Sequence, residues 1–360
     1  VKRVHLHIQG QVQGVGFRPL VYRLARARGL TGWVSNGTDG VHIEIDGNTS
    51  VAEALLADIR SACPPTARIT GHEITAAPVG AEYPDFRIVE STANVSVSLL
   101  LTPDIALCPR CRQELTEAGN RREGYPFVTC TQCGPRYSII RDLPYDRPLT
   151  TMAPFALCVD CQTEYDDPAD RRFFSQTNSC PHCAVPLRWT VAGNAPQTGE
   201  AEDLIAAAVD SLEAGNIVAV KGIGGYLLCC DATRPGPVAR LRSRKQRPAK
   251  PFAVLYPDLG MLAGDVALTP AARPLLTGPV SPVLLLPLRP QPQHVDAEGV
   301  APGLDHLGVM LPYAPLLQRL SSRFGRPLVA TSANVSGSPM IHRDATAQQE
   351  LAGLADAWLG

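Results

Sequence analysis

Eight of the 11 cysteines in this 360-residue chain fall in four Cys-x-x-Cys pairs: Cys108/Cys111, Cys130/Cys133, Cys158/Cys161 and Cys180/Cys183. Eighteen residues separate the first pair from the second, and 18 again separate the third from the fourth. Four soft thiolates close a tetrahedral Zn²⁺ site and leave no open position, so the spacing predicts two structural zinc sites. Sequential sharing is the simple arrangement, because each unit could then fold alone; a crossed arrangement stays open. Four pairs at matched spacing have no use in thiol exchange. His182, inside Cys180-Pro181-His182-Cys183, reads as a solvent-facing residue and not a ligand. Tyr125, Phe127, Tyr137, Phe155 and Tyr165 are expected to fill small cores around the metals.

A second constellation lies near the start. In Gln13-Gly14-Val15-Gly16-Phe17-Arg18, glycines let successive backbone N–H groups converge on one point, and a helix behind them adds its positive end. Such a nest suits a phosphate-sized anion, and Arg18 can add a bidentate fork. Asn36, at a strand end, could hold an attacking water through its amide.

The third is a charge run. Arg240, Arg242, Arg244, Lys245, Arg247 and Lys250 place six cations in eleven residues, after the glycine turn Gly222-Ile223-Gly224-Gly225. Cations at that density either form a solvated face or hold a polyanion such as a triphosphate. Pro248 is expected to end the helix where side chains point into a cleft. The turn lacks the GxxxxGK[ST] spacing, so this is no P-loop.

The elements that must position these residues follow from periodicity. Strands are expected at Val4–Val12, Gly32–Asn36, Val41–Asp46, Ala67–Thr75 and Asp85–Val89, with helices at Leu20–Arg28 and Ser50–Ser61. The order is βαββαβ, a ferredoxin-like split unit. After a polar linker at Val191–Thr198, a helix at Leu204–Ala214 alternates onward with strands at Ile217–Lys221, Phe252–Tyr256, Val283–Leu288 and Leu328–Ala330, an α/β pattern. The expected organisation is α+β and α/β multidomain: residues 1–91, the cysteine module at 92–190, and a nucleotide-binding domain at 199–360.

The totals exclude several classes. A net charge of -1 with 19% charged residues indicates neither a nucleic-acid polycation nor a disordered acidic chain. Basic runs and aromatics are not interleaved in the cysteine module as nucleic-acid binding would need. No apolar run approaches the roughly 20 residues that span a bilayer. The cysteine pattern suits a reducing compartment, so a cytoplasmic location is expected. Cys63, Cys229 and Cys230 are left outside the metal set; Cys229 and Cys230 lie in an apolar run and read as inert core thiols. The chain begins at Val1 and stops on Trp358-Leu359-Gly360, which suggests a fragment.

Resemblance sharpens these readings. Residues 10–18 (GQVQGVGFR) with 32–40 (GWVSNGTDG) resemble the acylphosphatase signature, which implies a phosphate cradle at residues 13–18, catalytic Arg18 and Asn36, and metal-free hydrolysis of an acyl phosphate by water. Residues 221–226 (KGIGGY), 244–255 (RKQRPAKPFAVL), 307–313 (LGVMLPY) and 331–337 (TSANVSG) resemble the YrdC family. That likeness implies a nucleotide cavity lined by Lys245, Arg247, Ser332 and Asn334, with Lys221, Arg244 and Lys250 as further contacts, and carbamoyl-adenylate chemistry with ATP and Mg²⁺. In this order, with the zinc module between them, the segments resemble the carbamoyltransferase HypF family of NiFe-hydrogenase maturation. That family implies carbamoyl phosphate as donor, ATP as activator, the C-terminal Cys of HypE as acceptor, and a further C-terminal transfer domain beyond this chain. A threonylcarbamoyl-adenylate synthase for tRNA modification is the alternative enzyme, and a zinc-ribbon adaptor with vestigial flanking folds is the non-enzymatic one.

Overall fold

The computed structural model describes residues 2–92, 98–183, 185–334 and 338–360. They gather into two compact units, Val1–Ile105 with Thr129–Cys183, and Ala106–Val128 with Ala184–Gly360.

In the first unit, β1 (Arg3–Gln11) leads into α1 (Phe17–Ala27). Next come β2 (Gly32–Gly37), β3 (Gly40–Asp46), α2 (Thr49–Ser61), β4 (Arg68–Ala76) and β5 (Phe86–Ile88). The sheet order is β4-β1-β3-β2-β5, antiparallel except for the parallel β2–β5 edge. This is the expected βαββαβ unit. Alternate residues of the central strands, Leu6, Ile8, Ile43, Ile45 and Val34, are buried, as are Val21, Leu55 and Ile59 of the two helices. A period-2 strand face can bury its apolar set only on one side, so both helices pack there. The Asn48 side chain accepts a hydrogen bond from the Val51 amide and caps α2.

Short helices α3 (Pro109–Glu114) and α4 (Val159–Asp166) begin immediately after Cys108 and Cys158, which serve as their N-caps. The first and third cysteine pairs therefore each span the first turn of a helix.

The second unit contains β6 (Trp189–Val191), α5 (Ala201–Glu213), β7 (Val218–Gly222), β8 (Gly225–Asp231), α6 (Pro235–Lys245), β9 (Ala253–Leu255), β10 (Leu284–Pro287), β11 (His306–Met310), β12 (Leu328–Ser332) and β13 (Ala357–Leu359). They form one mixed sheet in the order β10-β11-β9-β12-β8-β7-β13-β6. Every residue of β8 is buried. Tyr226, Leu228 and Cys230 join one apolar cluster, while Leu227 and Cys229 join another. A strand whose alternate residues enter two different cores is covered on both faces, which explains its continuous apolar run.

Three local expectations change. Trp189–Val191 is a strand paired with β13, so part of the expected linker belongs to the sheet. Helix α6 ends at Lys245, before Pro248: Gln246 adopts φ 50°, ψ 46°, and the Arg247 amide turns back to the Arg242 carbonyl at 3.0 Å. The aromatic residues of the cysteine segment do not all surround metals. Tyr137 is 62% exposed, and Phe127 packs against the apolar core of the second unit.

Candidate functional site

The turn after β1 folds as the glycine pattern requires. Gly14 and Gly16 have φ of 71° and 75°, left-handed values that L side chains rarely adopt. Gly16 is the N-cap of α1, so residues 14–17 turn their backbone toward the helix's positive end. Space is tight there as well: a Cβ on Gly14 would lie 2.9 Å from Arg136 Cδ, and one on Gly16 3.3 Å from Thr131 Cβ.

Arg18 and Asn36 meet in a pocket enclosing about 340 Å³, open mouth included, lined in part by Gln13, Gly14, Gly16 and Phe17. Both are buried, at 7% and 1% exposure. With the Asn36 amide oriented as its neighbours require, its oxygen accepts from Arg18 Nε at 3.2 Å and Nη2 at 3.1 Å. That leaves the Asn36 NH₂ as a donor for a water or a substrate oxygen. Gln13 points the other way: its Nε2 donates to the Gly37 and Gly40 carbonyls at 2.6 and 2.9 Å, tying the turn to the β2–β3 hairpin. Val15 is fully buried.

The sequence reading missed the residues that hold Arg18 and the glycine turn in place and several that line the pocket with them. Arg18 Nη2 donates to Asp146 Oδ1 at 2.5 Å and Nη1 to Ser91 Oγ at 3.2 Å, while Ser91 Oγ donates to the other Asp146 oxygen. Arg136 Nε donates to the Gly14 carbonyl, and its terminal nitrogens reach the carbonyls of Cys130, Thr131, Cys133 and Pro135. One guanidinium thus clamps the glycine turn to the second cysteine pair. Tyr145 is buried against the same pocket, and burial pushes its phenol pKa up. Phe174, with φ 55°, sits 5.8 Å from the Arg18 guanidinium. No spacing rule links positions 136–146 to 13–18; only the fold brings them together.

The eight cysteines group as sequential units. The ligand atoms of Cys108, Cys111, Cys130 and Cys133 lie within 4.8 Å of one another, as do those of Cys158, Cys161, Cys180 and Cys183. Sulfur separations are 3.8 Å for Cys130–Cys133, 3.6 Å for Cys158–Cys180, 3.8 Å for Cys180–Cys183 and 3.6 Å for Cys161–Cys183. A tetrahedron with Zn–S bonds of about 2.3 Å has edges of about 3.8 Å, so both donor sets fit zinc in size as well as softness. His182 is exposed and stands outside the group. Cys229 and Cys230 are fully buried; burial pushes the Cys229 thiol up to about 12 and Cys230 further, as expected of inert core thiols.

In the second unit, four of the expected nucleotide contacts converge. Lys245 Nζ donates to the Ser332 carbonyl at 2.8 Å, the Asn334 carbonyl at 3.0 Å and Asn334 Oδ1 at 3.2 Å. Ser332 Oγ donates to Asn334 Oδ1 at 3.0 Å. Arg247 Nη1 approaches Thr331 Oγ1 at 3.5 Å, and its guanidinium lies 5.1 Å from the Phe252 ring. Burial, helped by the Arg247 charge, lowers Lys245 to about 8. Its hydrogen-bond partners among the described residues are carbonyl oxygens, so this is a desolvated cation that an incoming anion would stabilise. The remaining expected contacts are arranged differently. Lys221 pairs with Asp344 and the His342 carbonyl, Arg244 pairs with Asp356 at 2.8 Å, and Lys250 is exposed. Residues 335–337 of the 331–337 motif lie outside the described residues.

Three family models match the chain in the same order: Acylphosphatase at residues 4–88, HypF finger at 107–140 and 157–190, and Telomere recombination, the YrdC group, at 210–360. Carbamoyltransferase HypF of Rhodobacter capsulatus is 48% identical over 354 residues, 98% of this chain and 46% of the relative. A crystal structure of full-length HypF in its phosphate- and nucleotide-bound form matches with a TM-score of 0.91 at 38% identity, covering 99% of this chain and 46% of that one. The chain belongs to the HypF carbamoyltransferase family. It spans about half the length of the HypF relatives it matches. An acylphosphatase of Methylococcus capsulatus is 41% identical over 90 residues, 25% of this chain and 97% of that protein.

Proposed function

We propose that this HypF-family chain hydrolyses carbamoyl phosphate at the Arg18/Asn36 pocket and uses ATP to convert the carbamate to carbamoyl adenylate at the Lys245/Arg247/Ser332/Asn334 cluster. The carbamoyl group is then destined for the C-terminal Cys of HypE in hydrogenase maturation. The observation that carries the reading is the contact of Arg18 with Asn36 behind the Gly14–Gly16 turn. An anion held by the turn and the Arg18 fork places an acyl phosphate next to an amide that can orient water. Attack on the acyl carbon then breaks its bond to the phosphate ester oxygen, and phosphate leaves with both electrons.

At the second site the carbamate oxygen attacks the ATP α-phosphate and pyrophosphate leaves. Phosphoryl transfer of this kind chiefly needs positioning and charge neutralisation, which Lys245 and Arg247 supply and Mg²⁺ would complete. Lys221, Arg244 and Lys250 would join only after leaving their present partners. The family matches, the desolvated Lys245 and the HypF structure in its nucleotide-bound form support this half of the reading. The two tetrathiolate groups would hold zinc as structural ions in a reducing, cytoplasmic setting, and no helix among the described residues is long and apolar enough to cross a membrane.

The test is carbamoyl-phosphate-dependent release of pyrophosphate from ATP by the purified chain. Release is expected with carbamoyl phosphate and not with threonine plus bicarbonate. The opposite donor preference would indicate threonylcarbamoyl-adenylate synthesis, and no release with either would overturn the proposal.

A further inference from the structure

The sheet face opposite helices α1 and α2 carries a cluster that the reaction above does not use. His5 and His7 lie two apart on β1 and so share a face, and His42 on β3 pairs directly across from His7. Their three rings stack in a row. His5 and His42 centroids are 5.2 Å apart at 7°, and His42 and His7 are 4.4 Å apart at 5°. Asp39, in the turn of the β2–β3 hairpin, reaches back over them. Its Oδ1 lies 2.8 Å from His42 Nε2 and its Oδ2 3.7 Å from His7 Nε2.

We propose that His7, Asp39 and His42 form a binding site for a borderline divalent transition ion such as Zn²⁺, Ni²⁺ or Cu²⁺. One donor atom from each already lies within 4.8 Å of the others. Their side chains are only 15%, 20% and 13% exposed, so the site is largely shielded yet open to entry. Two imidazole nitrogens and one carboxylate oxygen suit those ions and leave a fourth position for water. Mg²⁺ and Ca²⁺, which want oxygen ligands, are poor fits.

Two further observations support the geometry. The His42 Nδ1 to His5 Nε2 distance is 3.1 Å, which fixes the His42 ring as an outer-shell partner fixes a metal-bound histidine. Coordination needs the Nε2 lone pair of each ring, and the tautomer of His42 that carries its proton on Nδ1 can donate it to His5 Nε2. The hairpin glycines also keep the ligand atoms accessible to one another. A Cβ on Gly37 would lie 2.6 Å from Asp39 Oδ1 and 2.7 Å from His42 Nε2, and one on Gly40 3.0 Å from His7 Nε2. The same hairpin carries Asn36, three residues before Asp39.

The experiment uses the full, tag-free chain with its cysteines zinc-loaded, titrated with Ni²⁺ by calorimetry. One additional ion per chain is expected. At least a tenfold loss of affinity is expected in His7→Asn, His42→Asn and Asp39→Asn, and no change in the surface control His306→Asn. In the unaltered protein, paramagnetic broadening of histidine ring signals by Ni²⁺ should single out His5, His7 and His42, a readout independent of any variant's folding. Absence of a further ion, broadening elsewhere, or an unchanged affinity in a natively folded His7→Asn/His42→Asn double variant would overturn the proposal.

Discussion

Arg18 makes the case at the residue scale because its fork is already in use. It holds Asn36 with Nε and Nη2, and Nη2 also donates to Asp146. Substitution by Ala removes both the anion contact and the restraint on the Asn36 amide. Carbamoyl phosphate hydrolysis should fall by about 10²–10³-fold, the range for losing one preorganised donor at a reacting oxyanion. Arg18→Lys should recover little, since a point charge cannot span two acceptors. Steady-state hydrolysis of both variants beside the unaltered chain checks this; near-normal turnover in either contradicts the role. Lys245 is the second case. Folding lowers its pKa from 10.5 to about 8, so the unfolded chain binds more protons between those values. The penalty is complete below about pH 8 and relieved as pH rises toward 10.5, so this residue makes stability rise across that window. A bound polyanion reverses the preference by favouring the ammonium. Nucleotide affinity should therefore decline above about pH 8, with proton uptake on binding near that pH. Titration calorimetry in buffers of different ionisation enthalpy reads both; a pH-independent affinity would remove Lys245 from the site.

At the scale of elements, the informative residue is Gln246. Helix α6 must stop so that Lys245 stays buried among Ser332 and Asn334 while Arg247 turns toward Thr331. The stop is a left-handed residue, and Gln adopts that conformation only at a cost. Gln246→Gly should raise the unfolding free energy by roughly 0.5–1 kcal/mol, because Gly takes positive φ without a Cβ clash. Denaturant unfolding measures it, and a destabilised variant would show that the Gln side chain contributes more than the backbone strain removes. The sequence signalled an end to this helix through Pro248, but the turn came two residues earlier because tertiary packing of Lys245 fixes where the last helical carbonyls lie. Helix α1 shows the opposite shift. Its periodicity suggested Leu20 as the start, yet Gly16 caps it and brings Phe17 and Arg18 into the first turn. The glycine spacing contained that information; apolar periodicity alone did not.

Across the whole molecule, thiolates stand where a short segment has little apolar surface to bury. Between Thr129 and Cys183 the described structure is mostly turns, with α4 as its one α-helix, and of the six ligand cysteines in it four are buried and two half-buried. Metal binding there is folding energy. A strong chelator should extract two zinc ions per chain and lower the melting temperature, with loss of amide protection concentrated around the four cysteine pairs. Retention of full protection after the metal is gone would contradict a structural role. Arg136 and Asp146 reach from this segment to Gly14 and Arg18, so chelation should also reduce acyl phosphate turnover. Sequence alone determined the four cysteine pairs and their tetrahedral chemistry, the glycine nest with Arg18 and Asn36, the βαββαβ order and the family, because each rests on residue type at short, fixed spacing. Only the tertiary structure decided that the cysteine groups are sequential, that Asp146 and Ser91 engage Arg18 while Arg136 lines the same pocket, and that Lys221 and Arg244 are tied to carboxylates. It also decided that three histidines from two strands and a hairpin aspartate face one another. Those outcomes depend on strand register and on contacts between positions up to 128 residues apart, which no local spacing encodes.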